Sequence, residues 1–73
     1  MKTTLLAKDP DSGNGGCPSV HMREDGMAVV QAPEVDADTF GQLPNVLPGE
    51  RGVYIDPQVI VAAADEIRKR GLA

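Results

Sequence analysis

The chain has 73 residues, a formal net charge of −4, a single cysteine and only two aromatic side chains, Phe40 and Tyr54. A chain of this length holds one domain and buries only about 60% of the surface its unfolded form exposes, which excludes a large self-sufficient core. One cysteine excludes an intrachain disulfide framework and fits a reducing compartment, while the acidic balance excludes the electrostatic footprint of a general nucleic-acid binder.

The charge is uneven. Residues 1–50 hold Lys2, Lys8 and Arg23 against eight acids, whereas residues 51–73 carry four cations against three acids. The opening MKTTLLAKDP has an apolar run of only Leu5-Leu6-Ala7 before Lys8 and Asp9, too short for the apolar stretch of an export signal. No window nears the roughly 18 apolar residues of a membrane helix, so a cytoplasmic location without membrane insertion is the expectation.

Residues 1–18 combine Asp9, Pro10, Asp11, the run Gly13-Asn14-Gly15-Gly16 and Pro18 without any hydrophobic period, which predicts a flexible Gly/Asp-rich arm. Residues 19–73 then form the single small domain. SVHMRE and MAVVQA flank Asp25-Gly26, a hairpin signal that predicts strands near 19–24 and 27–32. A two-residue turn pairs Glu24 with Met27, Arg23 with Ala28, Met22 with Val29 and His21 with Val30. Val20, Met22, Met27 and Val29 then share an apolar face, with His21, Arg23, Ala28 and Val30 on the other.

From 32 to 50 the chain is rich in proline and glycine, a loop longer than compact domains normally leave unstructured unless it is functional. Gly52-Val53-Tyr54-Ile55 reads as a third strand. Asp56-Pro57 supplies a helix N-cap followed by proline at the first helical position, and Gly71 supplies a left-handed C-terminal cap, so a helix is predicted over about 57–70. Val59, Ile60, Ala63, Ala64 and Ile67 form its apolar stripe, and Asp65–Lys69 and Glu66–Arg70 are correctly ordered ion pairs. Ile60, Ala63 and Ile67 are expected to pack on Met22, Val29 and Tyr54.

Chemistry-bearing motifs are sparse. Asp9 and Asp11 match the first two positions of a calcium loop, but Gly13, Asn14 and Val20 stand where a donor, a glycine and a bidentate glutamate are required. Cys17 and His21 have a C-x3-H spacing, yet two ligands do not complete a tetrahedral zinc site. The glycine run lacks the Lys and Ser/Thr of a phosphate loop and leads into a strand rather than a helix. No catalytic, cofactor or metal residue is therefore assigned. Arg68-Lys69-Arg70 is favourable charge placement at a helix C-terminus. Glu24, Asp25, Glu34, Asp36 and Asp38 are expected to form one solvated acidic surface for a basic protein partner, with Phe40 as an apolar anchor.

The stretches SGNGGCPSV, DGMAVV and GVYIDPQVIVAAADEIRKRG together resemble small actinobacterial proteins of the BldB type, with Cys17, Asp25, Gly26, Val29, Asp56 and Pro57 at the matching positions. The resemblance implies a non-enzymatic regulator of development or specialised metabolism, paired with a helix-turn-helix transcription regulator. The expectation is thus an α+β fold with an antiparallel sheet of two to three strands under one C-terminal helix, acting through protein contacts. A homodimer is a further option, since a thin core gains from a partner. The alternative function is a metal- or thiol-dependent accessory protein using Cys17 and His21.

Overall fold

The computed structural model describes residues 1–10 and 18–72. A three-stranded antiparallel sheet in the order β1 (Thr3–Lys8), β2 (Ser19–Arg23), β3 (Ala28–Gln31) is followed by a short helix α1 (Ala37–Gly41) and a longer helix α2 (Pro57–Lys69). The α+β class is as expected, but the third strand comes from a different part of the chain. Residues 3–8, expected to be arm, pair along β2 from Thr3↔Arg23 to Lys8↔Ser19. Backbone bonds from Glu24 N to Lys2 O (3.0 Å) and from Asp9 N to Pro18 O (2.8 Å) extend the ladder at both ends. The remainder of the expected arm, residues 11–17 with Cys17, lies outside the described residues.

The β1–β2 register shifts between Leu5 and Ala7, a bulge that inserts Leu6 as an extra residue. Leu6 is buried and joins Val20, Val59 and Ala63 in the core, with Ala7, Met22, Ile55 and Ile67 packed around them. Helix α2 lies over β1 and β2 and leaves β3 uncovered.

The hairpin turns through three residues, not two. Arg23 N donates to Met27 O (2.8 Å) and Gly26 N to Arg23 O (2.9 Å), with Gly26 at φ 91°. Only a residue without Cβ adopts that conformation at no steric cost, so glycine fits the last loop position. The extra loop residue slips the pairing by one, to Met22↔Ala28, His21↔Val29 and Val20↔Val30. A one-residue slip exchanges the faces of a whole strand, so Val29 stands with His21 on the side away from α2 and Val30 with Val20 on the α2 side.

In α2 the Asp56 carboxylate accepts from Gln58 N (2.9 Å) and Pro57 occupies the first turn, as the sequence predicts. At the other end Gly71 has φ 68°, Gly71 N donates to Arg68 O (3.1 Å) and Leu72 N to Ile67 O (2.9 Å). These paired bonds are a Schellman motif, which satisfies the last carbonyls of the helix. The stripe against the core is Val59 and Ala63, both buried, with Ile67 partly buried, rather than one centred on Ile60, because the sheet meets the helix along a single i, i+4 row. Val59 is 3% exposed and its neighbour Ile60 52%. Val29 and Tyr54, also expected in the core, are exposed. Glu66 pairs with Arg70 (2.8 Å) as expected, but Asp65 pairs with Arg68 (3.6 Å), one turn position short of Lys69. Among the described residues no helix is long and apolar enough to cross a membrane.

Candidate functional site

The segment from Pro33 to Tyr54 is closed on itself. Residues 52–55, expected as a strand, make only one antiparallel bridge, Val53 with Glu34. Its bonds run from Val35 N to Gly52 O (3.1 Å) and from Tyr54 N to Pro33 O (2.8 Å). Inside this clasp, Gly52 lets two side chains approach the backbone: a Cβ there would stand 3.0 Å from Leu43 Cδ1 and 3.2 Å from Val35 Cγ2.

Asp36 organises the start of α1. One carboxylate oxygen caps the helix by accepting from Thr39 N (2.7 Å), and the other accepts from the Tyr54 hydroxyl (2.9 Å), which also lies 3.1 Å from Thr39 Oγ1. The Thr39 and Tyr54 hydrogen bonds hold the Asp36 carboxyl below its ordinary pKa. Further along, Leu47-Pro48-Gly49-Glu50 forms a turn with Gly49 at φ 89° and a bond from Glu50 N to Leu47 O (3.0 Å), the geometry of a type II turn. The Glu50 side chain returns to accept from Leu47 N (2.9 Å). This framework shapes an open groove of about 440 Å³ lined by Phe40, Leu43, Pro44, Val46, Glu50 and Arg51.

The expected acidic surface is partly neutralised. Asp25 is held bidentately by Arg23, with Arg23 Nε to Asp25 Oδ1 at 2.8 Å. That contact lowers the Asp25 pKa to about 2. Glu34 pairs with Arg51 (3.4 Å), and Asp36 is committed to its cap. These three carboxylates, expected to be solvated, are thus engaged within the chain, because each lies within a few residues or one bridge of a donor. Glu24 and Asp38 carry no side-chain partner among the described residues. Phe40, the expected anchor, is half-buried at the groove. Helix α1 packs on neither the sheet nor α2.

His21 Nε2 lies 2.9 Å from Ser19 Oγ, two residues away on the same face of β2. Ser19 is 4% exposed, so this hydroxyl is closed to an incoming substrate. The companion of His21 in the alternative metal or thiol reading, Cys17, lies outside the described residues. Among the described residues no three His, Cys, Asp or Glu side chains converge on a metal position.

The Asp36–Thr39–Tyr54 cluster was not anticipated. Its local half was written as Asp-x-x-Thr at a helix start, but the tyrosine arrives from 18 positions away and has no local signature. No protein-family model, curated protein or solved structure matches this chain.

Proposed function

We propose that the protein is a non-enzymatic protein-binding module whose recognition surface is the groove of the 33–54 segment. The supporting observation is the apolar surface of that segment: Leu43 and Val46, which line the groove, and Leu47, next in the chain, are exposed in a segment held by hydrogen bonds and ion pairs rather than by burial. Grouped apolar side chains beside a polar rim characterise protein contact sites more than scattered exposed residues do. The net charge of −4, and Glu24 and Asp38 without a side-chain partner among the described residues, favour a basic partner. The resemblance noted in the sequence makes a DNA-binding regulator the partner class to try first.

Affinity capture from source cells with the wild-type chain and with a Phe40→Ala, Leu47→Glu double variant tests the reading. A partner retained by the wild type, lost by the variant and weakened by added salt supports it. Equal retention by both chains removes the groove from consideration.

A further inference from the structure

The two edges of the sheet differ in how they are protected. The β1 edge carries the bulge at Leu6 and ends in Lys8 beside Asp9, both devices that discourage another strand from pairing. The β3 edge has neither. Ala28–Gln31 is regular, and among the described residues its outer side makes no backbone hydrogen bond. Val29 is 38% exposed on one face and Val30 44% on the other, so apolar side chains flank unpaired peptide groups. Water satisfies such an exposed edge in the free chain, and another extended strand can replace that water with a backbone ladder.

Charge identifies the strand. Residues 26–33, GMAVVQAP, form an uncharged stretch in a chain of net charge −4. The acids that bound it, Asp25 and Glu34, already hold Arg23 and Arg51 respectively. We infer that the β3 edge pairs with the β3 edge of a second copy of this chain, antiparallel about a two-fold axis centred on Val30. A symmetric antiparallel pair must place one residue opposite itself, and a centre at Val30 sets 27–33 of one copy against 33–27 of the other, so no charge faces a charge. The result is a continuous six-stranded sheet, with the two Val30 side chains meeting on the face that carries α2. The inference stands apart from the proposed partner groove, which lies on the 33–54 segment.

Such a strip buries less than the ~1,200 Å² of a standard interface, so the dimer depends on concentration. Sedimentation equilibrium from about 10 µM to about 1 mM should show the 7.7 kDa chain moving toward twice its mass. Added salt should promote this step by screening the acidic bodies, opposite to its effect on a basic partner. Val30→Lys sets two like charges across the axis and should return the chain to monomer mass, while Leu5→Lys on the β1 edge leaves association unchanged, with circular dichroism checking that both fold. Hydrogen exchange on the wild type needs no variant, and the β3 amides should slow as concentration rises. A wild-type mass of 7.7 kDa throughout, association that survives Val30→Lys or is abolished by Leu5→Lys, β3 amide exchange that does not slow, or unlimited growth of larger species overturns the inference.

Discussion

The sheet with α2 and the clasped 33–54 segment are held by different forces. In the first, Leu6, Val20, Val59 and Ala63 are buried together and the backbone ladders surround them. In the second no residue is buried, and order comes from one bridge, the Asp36–Tyr54–Thr39 bonds and the Glu34–Arg51 pair. Apolar burial is non-directional and cooperative over a whole core, whereas exposed hydrogen bonds and ion pairs each contribute little and act locally. The contrast assigns global stability to the first region and leaves the second free to open locally.

The largest expected break comes from Leu6→Ala. It removes a buried side chain and should cost about 2–5 kcal/mol, enough to lower the midpoint of thermal unfolding by roughly 10 °C or more or to unfold the chain. The matching change Leu47→Ala in the clasped segment should leave the midpoint almost where it was. Equal losses from the two would show that the segment shares the core after all.

A smaller effect sharpens the contrast from the other side. Asp36→Ala removes the α1 cap and the Tyr54 acceptor together, and a lost cap costs about 1 kcal/mol. The loss should appear as faster hydrogen exchange and proteolysis within 33–54, at unchanged protection of β2 and α2. Loss of protection throughout the chain would contradict the separation.

The smallest effect is in acid. The Asp25 pKa is depressed to about 2 by Arg23, and Asp36 is lowered by Thr39 and Tyr54. A carboxyl whose folded pKa is depressed adds stability that is complete above the unfolded value near 4 and disappears as pH falls through the folded one. Thermal midpoints measured from pH 5 down to pH 2 should therefore fall, and Asp25→Asn should flatten part of that slope. A parallel slope in the variant would show that the Arg23 contact does not form in solution. Because Asp25 lies at the surface, the change is modest and fades with salt.

The sequence made α2 legible almost to the residue, since Asp56-Pro57 and Gly71 act through local backbone geometry. Its buried face was harder to read: Val59 and Ile60 are equally apolar, and only the position of the sheet chooses between them. The missed strand has a similar cause. Thr3–Lys8 has no alternation, and its apolar Leu5-Leu6-Ala7 run reflects the bulge that shifts its register. Asp25-Gly26 marked the hairpin correctly, but one residue of loop length decided every facing pair in β3. For the candidate site, Phe40 and the unusual length of 32–50 were readable, whereas the arginine and tyrosine partners of its acids meet them only through the Glu34–Val53 bridge.

That bridge also determines what the segment means for the chain as a whole. Because Glu34 and Val53 are neighbours, the 18 positions between them span no distance between the sheet and α2. They form an exchangeable cassette: a short glycine turn joining the bridge residues should preserve the scaffold, and a different insert should be carried without redesign of the core.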